Sequence, residues 1–528
     1  MAKSVPVAAP RPFEHAQGQP ATATVRALFA AMVVAATALV VALAVAGTET
    51  WTPWTIASLA LLVPVTAWIA GGAATALLGV MLPPAPVTKL PFGWRPSSRT
   101  AILIMVCGET PAPVAARAAA LRRALDRLGL HGSVRISVLS DTSGKDAVRA
   151  ERRAFAPLME AGLLRYRRRL RNTGRKPGNI AEWLETRGRG YDFMLVMDAD
   201  SRMSAGRIAR LIHRMEQTPG LGLLQAGIAQ TGTDTRFARS QRLAARLMGP
   251  SFVAGLAAWS GRTSNYWGHN ALIRVRAFHD AAAYLPVLPG AAPMGGPVLS
   301  HDVVEAAFLR RAGWAVAFDP DTAGSAEEPP ATLEEFHRRD RRWCQGNLQH
   351  LRLLTAPGLH PLSRAHMAAG VLGYAVAPLW LALLLLAATG HAPVTSVWPA
   401  VAVAVLLLTP KACGLWRLHR RGHPRRNRLL WRAALAELCV SALIAPLVML
   451  RQTLAIGAVA LGRDCGWKTR GRVRALPAGW LEAVTGAALA ALVFAIDPEA
   501  LAWMMPVLGP LLIAPWLVRW LARPVVTA

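Results

Sequence analysis

Cysteine and negative charge are both scarce in this 528-residue chain. The cysteines show no C-x-x-C spacing, so the sequence contains neither a zinc site of that type nor a recognisable disulfide framework, which suits a protein facing the cytosol. Charged residues make up 17% of the chain and hydrophobic residues 53%. This composition favours a membrane protein. The five cysteines are Cys107, Cys344, Cys413, Cys439 and Cys465.

Acidic residues number 30, against 59 lysines and arginines, which gives a net charge of +29. A basic chain can bind nucleic acid, but these cations cluster beside apolar segments, where the positive-inside rule already accounts for them. Residues 411–428 hold seven Lys/Arg and no acid, and residues 463–474 hold five against one acid. We therefore predict that both stretches are cytoplasmic loops near anionic lipid and that the protein has no nucleic-acid partner.

Two long runs near the N-terminus contain no charge. Residues 27–46 and 54–82 are each long enough to cross a bilayer, and they predict a transmembrane hairpin over 25–83. The A-V-A sequence at 44–46 resembles a signal-peptide cleavage site, but a second span follows at once, which favours the hairpin. Residues 1–24 are rich in Ala, Pro, Thr and Gln and predict a disordered cytoplasmic tail.

Apolar runs return later and predict a second transmembrane region over 364–522. Residues 429–461 within it are apolar but are interrupted by Glu437, Pro446 and Arg451, and both flanks are basic. Either two short spans or a re-entrant hairpin fits this pattern, with both ends cytoplasmic. The uninterrupted spans predicted here are 367–390, 393–410, 480–496 and 500–518.

Short apolar runs alternate with helical patterns over residues 95–355. Residues 100–106 and 134–139 read as strands on either side of a helix over 115–128, and this βαβ order implies a parallel sheet. The predicted fold is an α/β cytosolic domain with a mostly parallel sheet, inserted in an all-α transmembrane bundle. Ligands of such sheets bind beyond the carboxyl ends of the strands.

Acidic side chains follow three of the predicted strands. Glu109 follows the first, Asp141 follows the second, and Asp198 and Asp200 end the apolar run that starts at Tyr191. Because strand side chains alternate, Asp198 and Asp200 share a face, where they can hold Mg²⁺ or Mn²⁺ together with substrate phosphates. An ordinary acidic turn is the alternative for this pair alone. Four acids after three strands suggest one shared site.

Two further motifs can bring reactive groups to that site. The basic stretch 165–176 runs into K-P-G-N before a helix, where Lys176 can meet a diphosphate, while most of its arginines fit a solvated loop. Asp302 starts a helix in the sequence S-H-D. Ser300 or Asp302 can cap that helix, or Asp302 can act as the base that deprotonates a sugar hydroxyl.

Aromatic residues occur in two other motifs. Residues 334–354 are basic and amphipathic and predict an interfacial helix, in which Arg342 and Trp343 can also hold a sugar chain. The segment Y-W-G-H-N at 266–270 fits stacking on a sugar or base equally as well as an ordinary core.

In this order the motifs resemble those of the family 2 inverting glycosyltransferases of the membrane-embedded, processive kind, which include cellulose synthase. The similarity spans roughly residues 95–380 and is greater to the glucosyltransferase H group, which makes osmoregulated periplasmic glucans. Two positions depart from related enzymes: Gly108 stands where Asn is usual, and Arg339 stands where cellulose-type synthases have Gln, as in the glucosyltransferase H group. The similar stretches are RYRRRLRNTGRKPGNI, VMDADS, SNYWGHNALIRV, LSHDVVEAAFLRRAGW and RRDRRWCQGNLQHLRL.

The resemblance implies a donor site for UDP-glucose. Glu109 and Asp141 would contact the uridine, with Asp198 near the nucleotide. Lys176 would meet the diphosphate, and Asp200 would ligate Mg²⁺ or Mn²⁺.

The resemblance also implies roles on the acceptor side. Asp302 would be the catalytic base, and Arg342 and Trp343 would hold the end of the growing glucan. The implied product is a β-1,2-linked glucan made by a multi-pass protein of the bacterial inner membrane whose catalytic domain is cytoplasmic. We further hypothesise that the spans form a pore through which the glucan leaves.

Other function classes fit parts of the sequence. A processive synthase of a cellulose-, chitin- or hyaluronan-like polymer shares most of these motifs. A transporter with a nucleotide-sensing domain is the non-enzymatic alternative, and it would need no base at Asp302. The sequence leaves open whether an acyl carrier protein or a periplasmic glucan-processing protein takes part.

Overall fold

A computed structural model of the protein describes residues 22–83, 87–283, 285–391, 396–420, 424–465 and 477–525. Residues 1–21 of the predicted tail and residues 466–474 of the second basic stretch lie outside this part of the chain. Residues 22–24, which were assigned to the tail, instead form the start of the first helix.

In sequence order, long helices precede and follow an α/β domain. Other helices form the two layers that cover the faces of the sheet in that domain. The α-helices are α1 (Thr22–Ala46), α2 (Pro53–Met81), α3 (Pro111–Arg127), α4 (Lys145–Glu160), α5 (Arg175–Thr186), α6 (Ala205–Glu216), α7 (Arg236–Ser260), α8 (Val275–Ala281), α9 (His301–Arg311), α10 (Leu333–Gln349), α11 (Pro361–Ala388), α12 (Trp398–His419), α13 (Pro424–Ala460), α14 (Trp480–Ile496), α15 (Ala500–Leu512) and α16 (Ala514–Ala522). The strands are β1 (Thr100–Val106), β2 (Val134–Ser140), β3 (Arg165–Arg168), β4 (Phe193–Asp198), β5 (Arg202–Met203), β6 (Leu221–Ala226), β7 (Ala229–Gln230), β8 (Ala271–Arg274), β9 (Val287–Leu288), β10 (Gly296–Pro297), β11 (Ala315–Asp319) and β12 (Ser325–Glu327).

The main sheet has seven strands in the order β11-β6-β8-β4-β1-β2-β3. Its pairs are parallel except those of β8, which runs antiparallel to β4 and β6. All seven residues of β1 are buried, because helices cover both faces of the sheet, as expected for the interior of a parallel sheet. The predicted α/β class with a mostly parallel sheet is therefore confirmed.

The antiparallel strand β8 has a consequence for the site. Val196 of β4 pairs with Ala271, the first residue of β8. The start of β8 therefore lies at the same edge as the carboxyl end of β4. The loop that precedes β8, at residues 268–270, is thereby brought to the edge where the acidic side chains lie.

Within the described residues, α1, α2, α11, α12 and residues 427–460 of α13 are long and apolar enough to cross a membrane. The helices α15 and α16, at the predicted span 500–518, meet at a bend of 54°. The helix α12 continues to His419, so the predicted basic loop at 411–428 is mostly helical. Two of its seven cations have partners in other helices: Lys411 donates to Glu437 over 2.6 Å, and Arg417 donates to the carbonyl of Pro250 over 3.2 Å.

The segment 429–461 is neither two short spans nor a hairpin, because it lies within the single helix α13. Near the start of α13, Glu437 binds Lys411 of α12, and Leu447 near its middle packs in one cluster with Phe237 of α7 and Leu333 of α10. The whole helix thus runs along the side of the bundle next to the α/β domain. The charges that suggested a break instead form ion pairs, which allows the helix to continue.

The two ends of the bundle differ in their neighbours. At one end, Arg26 of α1 donates to the carbonyls of Trp259 and Ser260 in α7, next to the α/β domain. At the other end, the rings of Trp54 and His391 lie 5.4 Å apart. Ala388 of α11 and Ala500 of α15 pack in one cluster at that far end. The sequences that connect the helices there, 47–52, 389–397 and 497–499, contain no lysine or arginine.

Small residues allow α2 and α7 to cross at very close range. A Cβ placed on Gly79 would lie 1.8 Å from the carbonyl oxygen of Ser251, and one on Gly255 would lie 1.8 Å from that of Thr75. No side chain can occupy either position without moving a helix backbone. This crossing fixes the α/β domain against the first transmembrane hairpin.

Candidate active site

Three acidic side chains lie at the carboxyl edge of the sheet, as predicted. Met105 of β1 pairs with Asp198 of β4, and Val106 pairs with Ser140 of β2, so Glu109, Asp141 and Asp198 all follow neighbouring strand ends. Glu109 is exposed and accepts a hydrogen bond from the backbone N–H of Cys107.

Asp141 is bound by an arginine from the next strand end. Its two carboxylate oxygens accept from Nε and Nη2 of Arg169 over 2.7 and 2.9 Å, and both side chains are buried. Arg169 also donates to the carbonyl oxygens of Thr173 and Arg175, each over 2.9 Å. The Asp141–Arg169 pair therefore holds the loop that leads to Lys176. Sequence analysis did not assign this role to either residue.

Lys176, near the start of α5, reaches the centre of the site. Its ammonium group donates to the carboxylate of Asp198 and, over 2.7 Å, to the carbonyl oxygen of Gly268. The chain can turn here because Gly178 has no side chain: a Cβ on it would lie 2.1 Å from the carbonyl oxygen of Thr173. An ammonium group has three donors, so one remains for a further acceptor.

The two aspartates of the D-A-D motif differ in their electrostatics. Burial tends to raise the pKa of Asp198, but Lys176 and His269 outweigh it and lower that pKa to about 2. The pKa of Asp200 is raised, first by burial and then by the negative charge of Asp198. Asp198 is thus already balanced by cations, whereas Asp200 lies where an additional cation would stabilise its carboxylate.

The aspartates of the D-A-D motif offer one or two carboxylates to a divalent cation. Among the described residues no group of three or more His, Cys, Asp or Glu could hold a metal ion. The remaining ligands of a Mg²⁺ or Mn²⁺ ion at this site would be waters or the oxygens of a bound phosphate group, which is a common arrangement for Mg²⁺. The raised pKa of Asp200 and its neighbouring carboxylate are consistent with such an ion.

His269 is a site residue that sequence analysis missed. Its Nδ1 lies 3.1 Å from Oγ of Ser201, and its Nε2 lies 3.1 Å from Oε2 of Glu327. Burial lowers the pKa of His269, but the hydrogen bond to Glu327 and the charge of Asp198 raise it above the usual value. The only feature of the sequence that pointed to His269 was the polar G-H-N motif before a strand. No sequence feature pointed to Glu327.

Asp302 lies in the first turn of α9, beside the same loop. A Cβ on Gly268 would be 3.4 Å from Oδ2 of Asp302, so this carboxylate lies against the residue whose carbonyl binds Lys176. The side chain of Ser300 makes no capping hydrogen bond to the start of α9. Its hydroxyl instead faces Gly346 of α10, where a Cβ would approach it to 2.3 Å.

A buried His–Glu pair lies directly behind Asp302. Nδ1 of His301 is 3.0 Å from Oε1 of Glu305. Burial lowers the pKa of His301, but Glu305 and Asp302 raise it.

Arg342 and Trp343 lie on α10, which packs against α11 and α13. Trp343 is 45% exposed, and the guanidinium of Arg339 lies 5.3 Å from the centroid of its ring. Burial lowers the pKa of Arg342, and so does the nearby Arg339. Arg339 also lowers the pKa of Asp200, so this helix faces the D-A-D motif.

The aromatic residues before β8 belong to the core. Tyr266 is buried and donates from its hydroxyl to the carbonyl of Gly268 over 2.8 Å. The ring of Trp267 packs against Phe318 with centroids 4.6 Å apart. Of the two interpretations of this segment, the structure supports the core for both rings.

Comparison with known families identifies matches over this region. Residues 193–410 match the family described as "Glycosyl transferase family group 2", and residues 103–281 match "Glycosyl transferase family 2".

Curated relatives extend the match to most of the chain. A protein of Bradyrhizobium diazoefficiens named "Glucans biosynthesis glucosyltransferase H" is 40% identical over 459 residues, which is 79% of this chain and 61% of that protein. A protein of the same name from Xanthomonas campestris pv. campestris is 38% identical over 85% of this chain and 76% of its own length. This chain therefore spans three fifths to three quarters of the length of these two relatives.

A solved structure of "Mannosyltransferase PcManGT from Pyrobaculum calidifontis in complex with GDP-Man and Mn2+" is also similar to this chain. The match has a TM-score of 0.44 and 15% sequence identity, and it covers 73% of this chain and 98% of that one.

Proposed function

Because this chain belongs to the glucans biosynthesis glucosyltransferase H family, we propose that it is an inverting glucosyltransferase that polymerises glucose from UDP-glucose into a β-1,2-linked glucan. The product would be the backbone of osmoregulated periplasmic glucans. The observation that carries the proposal is the meeting of Lys176, Asp198 and Asp302 around Gly268. A cation for a diphosphate, an acidic motif and a base thus lie at one sheet edge.

On the donor side we assign each residue by its position. Glu109 and Asp141 follow the strands that would border the uridine, and the remaining donor of Lys176 would bind the diphosphate. Asp200 would hold Mg²⁺ or Mn²⁺, with Asp198 near the nucleotide. When bound there, such an ion would offset the negative charge that develops on the leaving diphosphate.

On the acceptor side Asp302 would act as the base. Its carboxylate takes the proton of the acceptor hydroxyl, the acceptor oxygen bonds to the anomeric carbon, and UDP leaves with the electrons of the broken C–O bond. One displacement of this kind inverts the anomeric configuration and needs no covalent intermediate. The exposed ring of Trp343 and the guanidinium of Arg342 would hold the end of the growing glucan.

We place the α/β domain in the cytoplasm of a bacterial cell, with the helices in its inner membrane. The three far-end connections contain no lysine or arginine, so the positive-inside rule assigns the opposite end to the cytoplasm. The glucan would leave through a path between the spans. Labelling with a membrane-impermeant maleimide tests this orientation on a cysteine-free background: Thr50→Cys should react in intact cells, and Ser143→Cys only after lysis.

Sugar transfer by the purified protein tests the proposed activity. The protein in nanodiscs is given radiolabelled UDP-glucose with Mg²⁺, with Mn²⁺ or with a chelator, and the linkage of the product is determined. We expect a β-1,2-linked glucan that requires a divalent cation, and Asp200→Asn should raise the cation concentration required. A β-1,4-linked product would instead identify a cellulose-like synthase. Adding an acyl carrier protein or a periplasmic glucan-processing protein then shows whether either partner is needed.

A further inference from the structure

A cavity of about 260 Å³ lies between the α/β domain and the transmembrane bundle, at the opposite end of α9 from the active site. Asp302 is near the start of α9, and Arg310 near its end reaches the cavity. The cavity is separate from every residue assigned above to sugar transfer. The lining residues are Thr22, Arg26, Arg262, Thr263, Arg310, Gly313 and His360.

Three arginines from different parts of the chain meet in this cavity. Arg26 comes from the first turns of α1, Arg262 follows α7, and Arg310 is in the last turn of α9. Burial lowers the pKa of Arg310, and the positive charges of Arg262 and Arg26 lower it further. The same repulsion acts on His360, whose pKa is lowered first by burial and then by Arg310 and Arg26.

The protein contacts of Arg26 and Arg310 are neutral oxygens. Arg26 donates to the carbonyls of Trp259 and Ser260 over 3.1 and 3.2 Å. Arg310 donates to the hydroxyl of Thr263 over 3.1 Å and to the carbonyl of Trp314 over 2.8 Å. These contacts orient the guanidinium groups without neutralising them.

The negative ends of two helix dipoles balance part of the positive charge of these arginines, but some positive charge remains. Two helix C-termini, those of α7 and α9, end beside the cavity. Each contributes roughly half a negative charge, so together they offset about one of the two guanidinium charges of Arg26 and Arg310. The first 21 residues carry Lys3 and Arg11 against Glu14, so the sequence of that segment has no net negative charge. About one positive charge is therefore left for an anion to balance.

We propose that this cavity binds a phosphate group at the membrane surface, held by Arg26, Arg262 and Arg310. Guanidinium groups bind phosphate oxygens in paired hydrogen bonds, and the hydroxyls of Thr22 and Thr263 add donors at the same cavity. Arg26 and His360 lie at the domain-side ends of α1 and α11, which is the depth of lipid headgroups. The phosphate belongs either to an anionic phospholipid or to a soluble phosphate-bearing ligand.

A bound phosphate would join four elements. It would tie α1 and the start of α11 to the segment after α7 and to the end of α9. The expected effect of the ligand is thus a stabilised contact between the α/β domain and the bundle. This effect does not depend on sugar transfer.

The test compares two probes on the full-length protein in phosphatidylcholine nanodiscs. One series replaces part of the lipid with phosphatidylglycerol, and the other replaces chloride with inorganic phosphate at constant ionic strength. The unfolding midpoint is followed by tryptophan fluorescence. We expect one of the two probes to raise the unfolding midpoint until the effect saturates. That probe is phosphatidylglycerol if the ligand is a lipid headgroup, and inorganic phosphate if the ligand is soluble.

Variants locate the effect. Arg262→Gln/Arg310→Gln should need about a hundredfold more probe, since each of the two charge-assisted contacts contributes on the order of a factor of ten in affinity. Arg311→Gln is the matched control, because Arg311 ends the same helix but lies outside the cavity. If the double variant does not fold, Arg262→Gln alone should show the same direction. The proposal is overturned if neither probe stabilises the wild type, or if the cavity variants respond as Arg311→Gln does.

Discussion

Arg451 of α13 binds Glu482 of α14 through two guanidinium nitrogens, at 2.6 and 3.0 Å. The Glu482 side chain is 2% exposed, so the arginine is what allows its charge to be buried there. The pair joins the helix that runs along the domain side of the bundle to the apolar helix α14. It is also why Arg451 does not mark a break in α13.

Replacing one residue of this pair should lower the free energy of unfolding more than replacing both. Arg451→Met leaves Glu482 buried without a counter-ion. We expect the free energy of unfolding to fall by about 3 kcal/mol. This value is at the lower end for a broken buried pair, because Arg451 is one third exposed. Arg451→Met/Glu482→Met should recover most of this loss. Thermal unfolding in detergent measures the difference, with Arg519→Met on the exposed face of α16 as control. Equal midpoints for the single and double variants would contradict this account.

His337 on α10 predicts a loss of stability in mild acid. Burial, and then the charge of Arg451, lower the pKa of His337 to about 4. The unfolded chain, with an ordinary histidine pKa of about 6.5, therefore takes up a proton before the folded protein does. The contribution of His337 to stability should therefore be lost as the pH drops from about 6.5 to about 4, and it should change no further below that.

The variant His337→Asn isolates this contribution. Its unfolding midpoint should change less between pH 7 and pH 4.5 than that of the wild type. His131→Asn is the control, because His131 is exposed and should leave the wild-type dependence unchanged. Parallel curves for wild type and His337→Asn would show that another group is responsible.

Lys176 should be needed for donor binding as well as for turnover. In Lys176→Met, Asp198 loses the cation that lowers its pKa, and the diphosphate loses a charged donor. We expect UDP-glucose affinity to fall roughly tenfold to a hundredfold, the range of a charge-assisted hydrogen bond. Calorimetric titration measures it, with Lys145→Met on the exposed start of α4 as control. Unchanged affinity would remove Lys176 from the donor site.

The crossing of α2 and α7 predicts opposite effects for two glycines of one helix. Gly255→Ala places a methyl group 1.8 Å from the carbonyl of Thr75, so the helices must separate and the unfolding midpoint should fall by several degrees. Gly249→Ala meets nothing within 4 Å and should be neutral or stabilising by up to about 1 kcal/mol, because alanine favours helix. Thermal unfolding of both variants decides; a stable Gly255→Ala protein would contradict the close crossing.

Local sequence patterns predicted the helices and strands whose burial leaves a simple pattern, either one apolar face or a continuous apolar run. The strand at 100–106 was predicted to the residue, because it is buried on both faces and is therefore apolar from Ala101 onwards. The positions of Glu109, Asp141 and Asp198 followed from strand ends alone.

Contacts between distant segments account for what the sequence did not predict. Glu437 and Arg451 suggested a break in 429–461, yet each finds its partner in another helix, 26 and 31 residues away. The contact of His269 with Glu327 joins the loop before β8 to the end of β12 and has no local signature. In the same way Arg169, one of many arginines in a basic stretch, is distinguished only by its pairing with Asp141.

The comparison of Asp302→Asn with the wild type tests the central claim most directly. Both proteins are purified in nanodiscs, and UDP-glucose binding and glucan synthesis are measured on the same samples. The account predicts that the variant binds UDP-glucose with near-normal affinity but forms β-1,2-linked glucan at less than about one hundredth of the wild-type rate, since a positioned base contributes 10²–10⁴-fold. Full synthesis by the variant would contradict the account and would favour a sensor or transporter, in which no base is required.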